Sequence, residues 1–196
     1  KANYNDDILV EGKKIEKEEK EYYIFNKPRG VITSTKDDKG RKVVTDYFDS
    51  NKRLFPVGRL DYDTTGLLIV TNDGELANLM HPSNEIEKVY IAKIDGIITG
   101  EEIRTIKNGI ILDNIKCIPK RVKLRKTDKK NKTSIVEIII VEGKNHEVKR
   151  LFSAVNLKVL KLKRERVAFL SLGNLKSGEY RKINPKEKKE LFNLLK

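Results

Sequence analysis

Leu67-Leu68-Ile69-Val70 is a short unbroken apolar run between a turn rich in Gly, Asp and Thr and the polar Asn72-Asp73-Gly74. A run of that length bounded by loops predicts a buried strand. Tyr22-Tyr23-Ile24-Phe25 predicts another strand, followed by the basic turn Asn26-Lys27-Pro28-Arg29-Gly30 and a second short strand over residues 31–34. Asp37-Asp38-Lys39-Gly40 is a polar turn, and residues 43–48 are expected to form a short helix. Residues 72–80 read as a helix with Asn72 as N-cap, Glu75 three residues on and Pro82 closing it.

Strands are expected over residues 89–94, 118–125, 134–141, 157–162 and 166–172. The charged residues 126–132 form the solvated tip of a hairpin between the second and third of these. Thr99 with Glu102 makes a capping box that opens a helix through Ile103 and Ile106. Val148, Leu151, Phe152 and Val155 recur at helical spacing and predict an amphipathic helix over residues 146–155. Asn184-Pro185-Lys186-Glu187 opens a terminal helix with an N-cap, Pro at the first helical position and Glu three after the cap. Strands and helices mix without steady βαβ alternation, so the fold class is α+β rather than a doubly wound sheet. Residues 1–20 differ from the rest. A single short strand and turn near Ile8 to Gly12 precedes Glu16-Lys17-Glu18-Glu19-Lys20-Glu21, a fragment with no core of its own that reads as a domain end plus linker.

At 196 residues, 38% apolar and 36% charged, the composition is that of a soluble globular chain, with no apolar run of membrane-spanning length. A single Cys117 excludes an intramolecular disulfide framework and fits a reducing, cytoplasmic setting. With one Cys and two separated His, no clustered His/Cys metal site is expected, whereas a carboxylate site stays open. The net charge of +13 and pI near 9.6 point to a polyanionic partner, although lysine used as a generic solubilising surface gives the same number.

Three residues could carry chemistry. Asp61 stands in the turn before the Leu67 strand and either caps its own backbone or presents a carboxylate. Alternation puts Tyr90 on one strand face with Ala92, as a half-buried packing residue or a cleft residue. Lys149 lies at the edge of the apolar helical stripe, where a stem can run along apolar surface and deliver its ammonium to a cleft or to solvent. Basic residues cluster around Lys27 and Arg29, Arg41 and Lys42, and over residues 120–132, 144–150 and 158–166. No Walker loop, GxGxxG, GxSxG, HExxH or RNA-recognition aromatic motif occurs.

Gly58-Arg59-Leu60-Asp61 with Thr64-Thr65-Gly66-Leu67-Leu68 closely resembles the catalytic motif of the RsuA/RluB-type ribosomal RNA pseudouridine synthases. Asn26-Lys27-Pro28-Arg29-Gly30-Val31 resembles the family's opening strand and turn, and Glu87-Lys88-Val89-Tyr90 its tyrosine motif. Residues 142–152, Glu-Gly-Lys-Asn-His-Glu-Val-Lys-Arg-Leu-Phe, resemble its third motif, and residues 160–167 the basic strand after it. These stand in family order over residues 22–183.

The resemblance implies a pseudouridine synthase fold: a mixed, mainly antiparallel sheet in two subdomains, flanked by helices and loops, with a central RNA-binding cleft. It implies Asp61 as the essential carboxylate, working at ribose C1′ or C2′ so that uracil detaches, rotates and reattaches through C5. Tyr90 would stack on the base and assist proton transfer, Lys149 would pair with Asp61 and keep it ionised, and Leu162 would supply an apolar contact under the base. Arg59 would fill the space of the flipped nucleotide, while Lys27, Arg29 and Arg150 would bind the RNA.

An isomerisation needs no cofactor and no metal. The partner implied is ribosomal RNA, met by a cytoplasmic monomer. Residues 36–44 and Ala168-Phe169-Leu170 resemble the RluB-like members and favour large-subunit (23S) RNA over small-subunit (16S) RNA. Residues 1–20 would be the remnant of an S4-type RNA-binding domain with its linker, and residues 21–196 the catalytic domain. His146-Glu147 departs from the Gln or Arg common near the third motif. The rival readings are a non-catalytic RNA-binding or ribosome-assembly factor, and a DNA-binding protein supported by charge alone.

Overall fold

The structure is a computed structural model that describes residues 8–10, 13–15, 18–144 and 146–196. Strands β1 (Ile8–Val10) and β2 (Lys13–Ile15) pair antiparallel as a separate hairpin, where a single strand was expected. The rest of the expected N-terminal remnant before residue 18 lies outside the described residues.

Then come β3 (Tyr22–Lys27), β4 (Phe55–Val57), β5 (Thr65–Thr71), α1 (Gly74–Leu79), β6 (Lys88–Asp95), α2 (Gly100–Lys107), β7 (Ile110–Leu112) and β8 (Ile115–Cys117). They are followed by β9 (Arg121–Asp128), β10 (Thr133–Ile140), α3 (Glu147–Ser153), β11 (Lys158–Val167), β12 (Leu170–Ser171), β13 (Tyr180–Lys182) and α4 (Pro185–Leu195).

A nine-stranded sheet runs β13-β3-β5-β11-β6-β10-β9, with β4 on β5 and β12 on β11. Its strand pairs are antiparallel except β5–β11, which meet in parallel at Lys163↔Thr65 and Arg164↔Gly66. That short contact joins two halves of the sheet, and the chain is α+β as expected. Tyr23, Phe25, Leu68 and Val70 enter one core with Tyr90, Ala92, Ile94, Val148, Leu151 and Phe152. Tyr22, Ile24, Leu67 and Ile69 enter a second core on the opposite face with Leu76 and Leu191. Burial on both faces is why β3 and β5 read as unbroken apolar runs rather than alternating ones.

Gly66 makes the junction possible. Its φ is +113°, and a Cβ there would lie 2.1 Å from the Arg164 carbonyl oxygen, so only glycine lets the two backbones come this close. Thr65 Oγ1 donates to the Leu162 carbonyl across the same contact at 3.5 Å.

Four expectations change. Residues 31–34 form no strand: Ile32 makes only an isolated bridge to Val43, while side chains take neighbouring polar groups. Lys27 Nζ donates to the Val31 carbonyl and Thr33 Oγ1 to that of Leu60. The short helix near residue 43 is a 3-10 turn, Val44–Tyr47. Asp73, not Asn72, caps α1, accepting from the Glu75 N–H at 3.0 Å. Asn72 instead accepts from Glu21 N–H at 2.7 Å and donates to the Glu19 carbonyl at 2.9 Å, pinning the linker to the sheet. β11 runs on through residues 163–165, where a break was expected, with Arg164 buried inside it, and the end of the second expected strand is cut to β12.

Candidate active site

A cleft of about 950 Å³ opens where the 58–64 loop, β6, β11 and the start of α3 converge. The loop before β5 is fixed by its own backbone and its neighbours. Gly30 N–H donates to the Tyr62 carbonyl at 2.8 Å and Thr64 N–H to that of Asp61 at 3.0 Å. Thr33 Oγ1 donates to the Leu60 carbonyl at 2.7 Å and accepts from Leu60 N–H at 3.2 Å. With the turn satisfied in this way, the Asp61 carboxylate is not used as a cap. It faces α3, where its Oδ2 lies 2.9 Å from His146 Nδ1 and 3.3 Å from Lys149 Nζ.

Lys149 is shared: its ammonium sits 2.8 Å from Asp63 Oδ1, closer than to Asp61. Burial alone would lower the Lys149 pKa, but the hydrogen bond to Asp63 and the charges of Asp61 and Asp63 outweigh it, and the net shift is upward. The Lys149 hydrogen bond in turn holds the Asp63 carboxyl below the usual range, with Arg29 adding a smaller pull. Asp63 carries no distinguishing signal in the sequence.

Tyr90 and Leu162 line the cleft from neighbouring strands and are both nearly buried. In register, Leu162 stands opposite Ala92 and Arg164 opposite Tyr90, so the two apolar groups lie on one face of the β6–β11 pair. Arg59, exposed, lines the opening. Arg164, almost fully buried and donating from Nε to the Leu67 carbonyl at 2.9 Å, turns one member of the 158–166 basic cluster inward as a fixed positive charge. Lys88 adds a second: burial, then Arg164, lowers its pKa, and its ammonium donates to the carbonyls of Val141 and Glu142.

The expected RNA-binding residues part ways. Arg29 is exposed beside the site. Lys27, in contrast, has no exposed surface, and its ammonium donates to the carbonyls of Pro28, Val31 and Tyr62, bracing the Asp61 loop from behind. Burial pushes its pKa down to about 8, against the pull of Asp63 and Asp61. Arg150 makes a bidentate pair with Asp113 in the β7–β8 turn and does not line the cleft. Charge alone does not show which way a side chain points, and these two face backbone carbonyls and Asp113.

Cys117, Glu142 and Glu147 bring their ligand atoms within 4.8 Å of one another, the one such grouping among the described residues. Burial, then the neighbouring Glu142 charge, pushes the Glu147 carboxyl up to about 7, and Lys88 supplies an opposing positive charge.

A carboxylate set against a lysine above an aromatic and aliphatic floor, reached by basic side chains, suits base chemistry on a polyanion. The chain matches the family model described as RNA pseudouridylate synthase over residues 21–154, and it belongs to that family. It is 51% identical over 193 residues to ribosomal large subunit pseudouridine synthase B of Bacillus subtilis, covering 97% of this chain and 79% of that one. It is 34% identical over 194 residues to the dual-specificity RNA pseudouridine synthase RluF of Escherichia coli, covering 97% of this chain and 64% of that one. A solved pseudouridylate synthase superimposes with TM-score 0.76 at 29% identity, over 99% of this chain and 82% of that one. The archaeal box H/ACA Nop10–Cbf5 complex, at TM-score 0.53 and 15% identity, shares the fold alone.

Proposed function

We propose that the chain converts a uridine of large-subunit (23S) ribosomal RNA to pseudouridine in the cytoplasm, as a monomer, with Asp61 as the catalytic carboxylate. The observation that carries this reading is the orientation of Asp61: its carboxylate leaves its own turn for Lys149, in the cleft that Tyr90 and Leu162 line. The Bacillus subtilis relative's name supports the choice of large-subunit RNA.

Asp61 acts at the ribose, at C1′ or C2′. The N1–C1′ bond breaks, uracil turns between Tyr90 and Leu162, and the C5–C1′ bond forms. The C5 hydrogen leaves as a proton and N1 gains one, so no net oxidant or reductant is required. Arg59, at the opening, fills the stack left by the flipped nucleotide. Lys149 balances the charge of the carboxylate through the cycle. Residues 21–196 act as the catalytic domain.

The test is tritium release from 5-tritiated uridine in protein-free transcripts of the two ribosomal RNAs. Stoichiometric release from the large-subunit transcript is expected. Release from the small-subunit transcript alone would overturn the choice of substrate, and release from neither would overturn the activity.

A further inference from the structure

We infer that His146 is a positioning residue for the reaction: its ring holds one oxygen of Asp61 and leaves the other to the RNA. The inference rests on Asp61 being the catalytic carboxylate. His146 occupies the N-cap position of α3 but does not cap it, since its side chain makes no hydrogen bond to the helix. Its backbone is left-handed, φ 53°, ψ 30°, a conformation few non-glycine residues adopt and one that histidine and asparagine tolerate better than most. The ring so placed reaches across the cleft, with Nδ1 2.9 Å from Asp61 Oδ2.

Lys149, three residues on and therefore on the same helical face, reaches the same oxygen. Among the described residues no hydrogen bond reaches Asp61 Oδ1. The Lys149 hydrogen bond and the close His146 ring nitrogen both fall on Oδ2, which divides the carboxylate into an anchored oxygen and a working one.

Positional isosteres read this directly. The amide nitrogen of Asn occupies the place of Nδ1, whereas that of Gln falls near Nε2. Gly removes the ring and relaxes the left-handed backbone, so its effect is not a folding defect. Single-turnover tritium release is measured for His146→Gly, His146→Gln and His146→Asn beside Asp61→Asn. Melting curves establish that each variant is folded.

Loss of this 2.9 Å contact with Asp61 Oδ2 should slow His146→Gly and His146→Gln about tenfold to a hundredfold with RNA affinity within about twofold. His146→Asn should recover most of that loss. If all three match the native rate, or if affinity falls while the rate holds, or if Asn does no better than Gln, the positioning role is overturned. Activity surviving in Asp61→Asn would instead overturn the reading of Asp61. An inactive Asp61→Asn beside native-like His146 variants would overturn this inference alone.

Discussion

Replacing Gly66 with Ala tests how the fold builds the site. The added methyl would start 2.1 Å from the Arg164 carbonyl oxygen, with the Arg164 amide nitrogen at 2.7 Å, and both are backbone atoms that no rotamer change can move. The strands must therefore part by roughly 1 Å at the parallel junction. Holding a non-glycine residue at φ +113° costs about 1–3 kcal/mol. Forcing apart a packed contact costs about 1–3 kcal/mol more. Against a total stability of about 5–15 kcal/mol, the variant keeps about half.

With a urea dependence of about 2 kcal/mol per molar, the unfolding midpoint should fall by about 1–3 M. The control is Gly58→Ala, where φ is +76° but nothing lies within 4 Å of the added carbon. Only the left-handed backbone penalty applies there, about 1 kcal/mol. Gly66→Ala should also lose about a hundredfold in rate while still folded. Leu162 and Arg164 ride on β11 and the Asp61 loop runs into β5, so parting the strands by that distance spoils their mutual geometry. Equal midpoints for the two variants, or a native rate in Gly66→Ala, would refute the reasoning.

Lys149→Met keeps the apolar stem along α3 and removes the ammonium shared by Asp61 and Asp63; the rate should fall about tenfold to a hundredfold with a melting temperature within a few degrees of native. Glu147, 3% exposed with its carboxyl raised to about 7, stays protonated in the folded chain while its unfolded counterpart ionises near 4.5. The folded state then binds the extra proton, so stability from this group falls as pH rises from about 4.5 to about 7 and is level above that. Glu147→Gln should therefore gain up to about 3 kcal/mol over the native chain at pH 8 and little at pH 4.5, measured by urea unfolding at both.

Much of this was legible in the sequence where one local rule sufficed. The Leu67 run became β5, the Thr99 and Asn184 capping boxes hold as read, and alternation put Tyr90 with Ala92 on the core face. What local rules miss is partner choice. β4, β7, β8 and β13 are each three residues long, and pairing rather than propensity makes them strands. Asn72 and Asp73 are equally good caps by type, and the N–H of Glu21 decided which was free to cap. Asp63, Arg164 and His146 join the site through distances across the cleft; the sequence puts the last two in a basic strand and a motif but does not say which groups they reach. Lys27 shows the converse, a cation in a basic turn whose partners prove to be buried carbonyls.

The central claim is that Asp61 performs the chemistry, and Asp61→Asn measured by tritium release under single-turnover conditions tests it most directly. The substitution keeps size and removes the charge, leaving Tyr90, Leu162 and the basic lining in place. Release slower by about 100-fold to 10,000-fold, with RNA binding and melting temperature near native, is the expected result. A near-native rate in that variant would contradict it.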